Sequence, residues 1–345
     1  MSDGKRAGAW QYRRRRMTPD DVDGAVALYV RVFPFPAELE RDLSRVLRLL
    51  LCEQMVRGAV VERLREPGGE WELAAFGMGC FLADSFSGRY FADPFPLLAV
   101  HVLDQVRLGR PERVLLSHEE LRERQKTPPP RLDLLILAWI QDNYDLQSED
   151  TWQLLYEGHG MLDSYMNGLR LRSVLVEGRK IHAPMLRAAG FARVIDLEDK
   201  MRDSPYAALV ADSRYQPMAH GVHTVEDFRR RPAGTPVGRL FMFREPVLDL
   251  SDGQKAVLDL ALEGYSDNDI ARILSISGNA VRMRWRGIYE KMQSLLPDIF
   301  PNGDAEGDMA RGHEKRRQAL NYIREHPEEI RPWLHMPFKC GPRRG

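Results

Sequence analysis

Three helix-start signals follow one another closely in the segment Leu250–Met292, which reads LSDGQKAVLDLALEGYSDNDIARILSISGNAVRMRWRGIYEKM. Ser251, Ser266 and Ser277 are each of a type that caps helix N-termini, because a serine oxygen accepts a backbone N–H of the first turn. Gln254, three residues after the first of them, completes a capping-box pattern. The spacing leaves no room for strands or long loops, so the segment is expected to fold as three short consecutive helices.

The third of these helices has one apolar face and one basic face. Its apolar residues recur at helical spacing and are Val281, Trp285, Ile288 and Met292. Since this stripe must face a core, the remaining positions project outward or to its flanks. We predict that they bind double-stranded DNA, with groove contacts from Asn279, Arg282, Arg284 and Arg286 and backbone contacts from Ser277 and Lys291.

Charge is concentrated on that third helix. The chain has 345 residues with 50 Lys and Arg against 50 Asp and Glu, so its net charge gives no bulk attraction for nucleic acid. Between Ser277 and Met292, in contrast, four basic residues face one acidic residue. Arginine makes bidentate bonds to guanine, and asparagine makes them to adenine. A merely solvated basic face is the alternative interpretation, which the combination of caps, short turn and apolar stripe disfavours.

The same segment resembles the LuxR-type helix-turn-helix of bacterial transcription regulators. The matching positions are Leu250, Val257-Leu258, Gly264, Ser266, Asp269-Ile270-Ala271, Leu274, Ser277, Val281-Arg282, Ile288-Tyr289 and Lys291-Met292. Ala280 and Arg284 stand where the family favours Thr and His. The resemblance implies a cytoplasmic DNA-binding transcription regulator, acting as a homodimer, whose second and third helices form the helix-turn-helix.

The segment is also similar to region 4 of sigma factors, which would make RNA polymerase a partner. Val281-Arg282-Met283-Arg284 fits the Val-Lys-x-Arg pattern that is common at that place. The upstream residues favour the regulator, because they alternate between strand and helix patterns. They contain no long helical segment like the promoter-melting region of a sigma factor.

The N-terminal two thirds of the chain alternate strand and helix patterns, so the chain is predicted to be α+β, with a mixed α/β domain before an all-α domain. Strands are predicted at Arg13–Met17, 59–64, 71–82, Leu132–Ile140, 169–176 and 192–197, with the second and third forming a hairpin. This order resembles the fold of the GNAT acetyltransferases. The run Gly168–Val174, followed by Met185–Phe191, adds to the resemblance.

The resemblance to GNAT enzymes also implies which catalytic parts are missing. Those enzymes hold the acetyl-CoA pyrophosphate in an Arg/Gln-x-x-Gly-x-Gly loop at a helix N-terminus. At the expected distance this chain has Ser148–Gln153, without glycine and with two acids, and Gly158-His159-Gly160 comes about two helical turns later. Leu186 takes the place of the tyrosine that protonates the leaving thiolate.

We therefore expect no enzyme activity and no cofactor. Three roles stay open for such a domain: sensing an unidentified small-molecule ligand, binding a protein, or setting the geometry of a dimer. An active acetyltransferase, targeted to DNA by its second domain, is the alternative.

The predicted domain organisation follows composition along the chain. Residues 1–235 form the GNAT-like domain, 236–246 a linker, 247–296 the LuxR-type DNA-binding domain, and 297–345 a loop, a C-terminal helix and a basic tail. The run RRRPAGTP at 229–236 marks the linker, because it combines charge with Pro and Gly. The C-terminal helix is expected over Glu314–His326.

Metal binding and membrane insertion are not expected. His220 and His223 are two residues of a type that binds metals, but no carboxylate or thiol accompanies them at ligand spacing. The favoured interpretation is a pair of solvated histidines in a loop. The N-terminus carries no apolar leader, and the apolar run Leu132–Ile140 is far shorter than the roughly 18 residues that span a bilayer. The sequence thus predicts no membrane segment and a cytoplasmic location.

Overall fold

The computed structural model describes residues 10–65, 68–126, 128–231, 234–298 and 308–333, with the side chains of 308–313 left out. Contacts divide the chain into two compact units. The first contains the residues up to Met166 and Arg170–Arg239. The second contains Asn167–Leu169 and the described residues from Leu240 to Trp333, so it takes a short piece from the middle of the chain.

The first unit is built on a seven-stranded sheet in the order β1-β2-β3-β4-β5-β7-β6. Its strands are β1 (Gln11–Arg16), β2 (Val56–Leu64), β3 (Glu72–Phe81), β4 (Leu132–Gln141), β5 (Leu171–Arg179), β6 (Arg193–Asp196) and β7 (Met218–Thr224). The helices are α1 (Val22–Val32), α2 (Ala37–Cys52), α3 (Asp84–Ala92), α4 (Leu98–Arg107), α5 (His118–Lys126), α6 (Glu149–Tyr165), α7 (Ala183–Ala189), α8 (Glu198–Met201), α9 (Val225–Arg230) and α10 (Pro236–Arg239). Short 3-10 turns lie at Pro19–Asp21, Pro111–Arg113, Lys180–His182 and Ala207–Ala211.

Strand pairing in the sheet is antiparallel except between β4 and β5. The predicted hairpin is confirmed, because β2 and β3 pair antiparallel from Val56 opposite Cys80 onward. The parallel pair β4 and β5 is joined by α6 and is in register only as far as Ile136 opposite Val176. Beyond that point β4 continues beside β3 and β5 continues beside β7, so the sheet opens between them.

Two apolar layers cover the sheet. Val60 packs into the large core formed with α1, α2 and α4, whereas Val61 packs with Leu154 of α6 in a separate cluster. Neighbouring residues of a strand point to opposite faces, so α6 lies on the other side of the sheet from α1 and α2. The predicted strand at Leu132–Ile140 is buried on both faces, as its unbroken apolar run indicated.

The strand β7 corrects one prediction. His220 and His223 lie on it and are 1% and 6% exposed, so the expected solvated loop pair is wrong. The strand β7 was missed because two histidines and a glycine interrupt the β-branched, alternating pattern by which strands are found.

Sequence patterns also gave no sign of α3 or α5.

The second unit is helical. Its elements are α11 (Asp252–Leu262), α12 (Asp267–Ile273), α13 (Gly278–Leu295), α14 (Asp308–Glu325) and a 3-10 turn at Pro327–Ile330. With the sheet of the first unit, these helices confirm the α+β class. Val237, Leu240 and Phe241, in the predicted linker 236–246, are buried. The predicted basic tail beyond Trp333, and most of the predicted loop after Pro297, lie outside the described residues.

The segment Asn167–Leu169 is held by the end of the second unit. Arg331 Nε donates to the Asn167 carbonyl oxygen at 3.2 Å. Gly168 has φ +80°, and a Cβ placed there would lie 2.5 Å from the Glu328 backbone nitrogen. The close approach and the left-handed backbone both require glycine at this position.

Candidate functional site

The helices α11, α12 and α13 begin at the three predicted caps. Ser251 Oγ accepts from the Gln254 N–H at 3.3 Å, and Gln254 Oε1 accepts from the Ser251 N–H at 2.9 Å, which completes the capping box. Ser266 Oγ accepts from the Asp269 N–H at 3.2 Å. Ser277 Oγ accepts from the Ala280 N–H at 3.1 Å. Each cap satisfies an N–H that a helix start leaves unpaired, so these serines fix where the helices begin.

The apolar stripe of α13 forms the centre of the second core. Val281, Trp285, Ile288 and Met292 are all buried, as predicted. They pack in one cluster with Val257 and Leu258 of α11, Ile270 of α12, and Ala319, Tyr322 and Ile323 of α14. The three-helix segment thus shares its core with the C-terminal helix.

A polar network sets the rotation of α13. Trp285 Nε1 donates to Asp267 Oδ1 at 3.2 Å, and Arg316 Nη1 of α14 donates to the same oxygen at 2.6 Å. The Arg316 guanidinium also lies over the Trp285 ring, 4.8 Å from its centroid. These contacts fix Trp285 to α12 and α14, which holds the opposite face of α13 toward solvent. Sequence reasoning missed Arg316, because nothing local links it to a residue 49 positions earlier.

The outward face of α13 contains four of the six predicted DNA-contacting residues. Ser277, Asn279, Arg282 and Arg286 are exposed, and Met283 between them is 55% exposed. Arg286 Nε donates to Glu290 at 2.8 Å, but both side chains are largely exposed, and such pairs contribute only about 0.3 to 0.5 kcal/mol. Arg282 makes no hydrogen bond or ion pair to any described residue. This face is therefore free to exchange solvent for a ligand.

The other two predicted residues contact the protein itself. Arg284 is half-buried across the start of α11, where a Cβ at Gly253 would lie 2.8 Å from its Nε. Lys291 is half-buried and donates a hydrogen bond to the Asp249 carbonyl oxygen. Both hold α13 against the chain around α11, so neither lies on the outward face with Asn279 and Arg282.

Comparison with known families identifies this segment. Residues 248–294 match the family described as "Bacterial regulatory proteins, luxR family". The predicted LuxR-type helix-turn-helix is therefore confirmed, and it supports a DNA-binding transcription regulator. Searches of curated proteins and of solved structures found no match to the chain.

The first unit contains a cavity at the opening between β4 and β5. Its volume is about 240 Å³, and most of its wall is apolar, with Ile136, Leu155, Leu186 and Phe191 among the contributing side chains. The wall comes from β4, β5, α6, α7 and the end of α1. The sheet cannot close there, because β4 and β5 follow different partner strands.

A buried polar chain lies beside this cavity. His220 shares one hydrogen bond of 2.8 Å with the Tyr90 hydroxyl and another of 2.8 Å with Glu177 Oε1. Glu177 also accepts the N–H groups of Leu97, at 2.7 Å, and Ala99. Burial alone would raise the pKa of Glu177, but His220 and the two N–H groups keep that pKa below its usual value. Glu177 is therefore an anion whose carboxylate oxygens already accept hydrogen bonds from within the protein.

Within the part of the chain that the structure describes, no three His, Cys, Asp or Glu side chains are grouped as metal ligands. Among the same residues, no helix is long and apolar enough to cross a membrane.

The glycines Gly158 and Gly160 pack helix α6 against the sheet. Both lie inside α6, not in a loop before it. A Cβ at Gly158 would lie 2.8 Å from the Trp139 ring, and one at Gly160 would overlap the Arg14 guanidinium. The first turn of α6 carries the acids Glu149 and Asp150. Asp150 is paired with Arg63 at 2.8 Å, and this helix start has no glycine loop that could bind a diphosphate.

Proposed function

We propose that the chain is a bacterial transcription regulator that places α13 in the major groove of double-stranded DNA. The proposal is carried by the position of Asn279 and Arg282, which are exposed on a helix whose rotation is fixed by the buried Trp285. A guanidinium without a protein partner can make a bidentate bond to guanine, and the asparagine amide can do so to adenine. Arg286 is proposed to add a groove contact, and Ser277, at the helix start, a contact to the phosphate backbone.

The experiment first selects DNA sequences from a random pool and then measures affinity for the selected site at two salt concentrations. We expect Arg282→Ala to weaken binding by about 1 to 3 kcal/mol, which is about 5- to 150-fold. Arg317→Ala is the matched control, because Arg317 is exposed on α14 and pairs with Glu314 in its own helix. Failure to select any sequence, or equal affinity of the two variants, would contradict the proposal.

We further propose that the first unit is a degenerate acetyltransferase-like module without catalytic activity. The strand order and the single parallel pair among the described strands support the resemblance to GNAT enzymes. Gly158 and Gly160 inside a helix, the acids at the start of α6 and the apolar Leu186 support the loss of activity. Incubation with acetyl-CoA and small amines, followed by mass spectrometry of the products, is expected to show no release of free CoA. Release dependent on the folded chain would refute this part.

Two copies are proposed to read two half-sites, as dimeric helix-turn-helix proteins do. The buried residues Ala319, Tyr322 and Ile323 of α14 face the core of their own chain, so the dimer contact must use other surfaces. Light scattering with a palindromic selected site is expected to give two chains per duplex. One chain per duplex would contradict dimeric reading.

The sigma-factor alternative makes a different prediction. A regulator binds its site alone, with RNA polymerase recruited afterwards, whereas a sigma-like factor needs the core polymerase to bind DNA. We propose the former and a cytoplasmic location, where bacterial DNA lies. Binding to DNA that occurs only when core polymerase is added would favour the alternative.

A further inference from the structure

The size of the cavity between β4 and β5 limits what it can contain. An apolar cavity of about 150 Å³ holds a benzene molecule. At about 240 Å³ this cavity has room for roughly ten non-hydrogen atoms, such as one ring with a short side chain. Its apolar wall, with Leu155 of α6 and Leu186 of α7, favours an apolar body over a sugar or a nucleotide.

The charged side chains of the cavity wall differ in their bonding partners. Glu177 is hydrogen-bonded to His220 and to the backbone N–H groups of Leu97 and Ala99. Arg214 is bonded to Asp212 at 2.8 Å and to Glu40 at 3.3 Å. Arg179 has no carboxylate within ion-pair distance among the residues that the structure describes. Arg179 is therefore a cation of the cavity wall that remains available to bind an anion.

Arg179 is held by contacts that leave most of its donors open. Its guanidinium lies over the Tyr144 ring, 4.2 Å from the centroid, and one nitrogen donates to the Val32 carbonyl oxygen at 3.4 Å. A guanidinium has five N–H donors, so a carboxylate can still bind it in the bidentate manner. His182, whose ring is stacked on Tyr144, has a pKa lowered by burial and by Arg179, so at neutral pH it adds no charge.

A second polar group of the wall lacks a partner. Thr151, in the first turn of α6, is 1% exposed, and its Oγ1 has no hydrogen-bond partner among the described residues. Leaving a buried hydroxyl unpaired is unfavourable, and a polar ligand atom at this place would remove that penalty. This observation is independent of the charge on Arg179 and also indicates a ligand with polar atoms.

We propose that this cavity binds a small monocarboxylate of about ten non-hydrogen atoms in all, with an apolar body and with its carboxylate on Arg179. The proposal rests on the proposed function, since it assigns the ligand that a non-catalytic first unit would sense. Its binding test needs no DNA, so it can fail while the DNA-binding test succeeds, and the reverse also holds. Acetyl-CoA does not fit the same description, because it has far more than about ten non-hydrogen atoms.

The experiment is calorimetric titration of the full chain with 3-phenylpropanoate and, separately, with 3-phenylpropanamide. The two probes have the same shape and differ in charge. We expect the acid to bind at least tenfold more tightly than the amide. Arg179→Gln should abolish that preference, whereas Arg187→Gln, at an exposed position of α7 outside the cavity wall, should keep it.

Each outcome decides the proposal. Equal affinity of acid and amide for the natural chain would overturn it, as would a preference that survives Arg179→Gln. No heat with 3-phenylpropanoate, phenylacetate or octanoate would also overturn it. Tight binding of acetyl-CoA that displaces the acid would instead assign the cavity to the coenzyme. Unchanged thermal unfolding of both variants shows that the loss arises at the cavity and not from misfolding.

Discussion

Replacement of Glu329 by alanine is expected to destabilise the helix-turn-helix from outside it. Glu329 is 1% exposed, and its carboxylate accepts the N–H groups of Val247, at 2.9 Å, and Leu248, at 3.0 Å. It also accepts the Tyr322 hydroxyl at 3.1 Å. This one side chain joins the 3-10 turn after α14 to the residues that lead into α11. Removing it leaves three donors without their acceptor.

The cost follows from where those donors lie. Val247 is 55% exposed, so its N–H can bind water at little cost. The Leu248 N–H and the Tyr322 hydroxyl belong to buried residues, and each unpaired buried donor costs about 1 to 3 kcal/mol. Allowing for the relief of a buried carboxylate, we expect Glu329→Ala to lower the free energy of unfolding of the second unit by about 2 to 5 kcal/mol. Glu329→Gln should also destabilise, because its amide group turns a donor toward another donor.

Hydrogen exchange resolved by mass spectrometry measures this effect locally in the full chain. Peptides covering α11 and α13 should exchange at least about 30-fold faster in Glu329→Ala, since about 1.4 kcal/mol corresponds to a factor of ten. Peptides from β2 and β3 should be unchanged. Glu325→Ala, at an exposed position near the end of α14, is the control and should alter exchange little. Equal protection of α11 and α13 in the two variants would refute the reasoning.

Three further predictions follow from contacts in the two units. Gly168→Ala should destabilise the second unit by about 2 kcal/mol more than Gly264→Ala. Both glycines have positive φ, but of the two only Gly168 would bring a new Cβ within 3 Å of backbone atoms. Equal melting temperatures of the two variants would contradict this prediction. Gly253→Ala should lower the free energy of unfolding by about 1 kcal/mol in the natural chain, but should leave it unchanged or raise it in a chain that already carries Arg284→Ala. A double-mutant cycle by urea unfolding measures both effects. If the two substitutions had additive effects, Arg284 would not pack on α11. Burial lowers the pKa of His101 to about 4 in the folded chain. As the pH falls, His101 is therefore protonated in the unfolded chain before it is protonated in the folded chain. The stability of the first unit should then fall as the pH drops from about 6.5 toward 4. His101→Gln should reduce that slope by about 1.4 kcal/mol per pH unit, and identical slopes would exclude His101 as a cause.

Local signals in the sequence predicted the second unit well. Helix caps act within three or four residues, and the stripe from Val281 to Met292 lies on one helix, so both can be found without knowing the fold. The outward face could be predicted only in part. A helical projection places Arg284 on the flank, but its contact with Gly253 depends on how α13 crosses α11. Such a crossing involves side chains that are distant in sequence.

Contacts between distant residues explain what sequence reasoning missed in the first unit. His220 is buried because Tyr90, 130 residues earlier, and Glu177 supply its hydrogen bonds. A histidine without such partners would remain solvated, as the sequence alone suggested. The cavity is likewise invisible in the sequence, because it results from β4 and β5 following different neighbouring strands.

The short segment Asn167–Leu169 has a practical consequence for dividing this chain. A fragment cut at Leu240 would keep α11 to α14 but lose the Asn167 carbonyl that Arg331 binds and the Gly168 backbone that lies against Glu328. Arg331 is 4% exposed, and removing an acceptor from a buried donor costs about 1 to 3 kcal/mol, a large fraction of the stability of a small unit. The second unit therefore cannot be excised or exchanged intact by cutting the chain at one position. Chimeras that transplant it would need the residues between α6 and β5 as well.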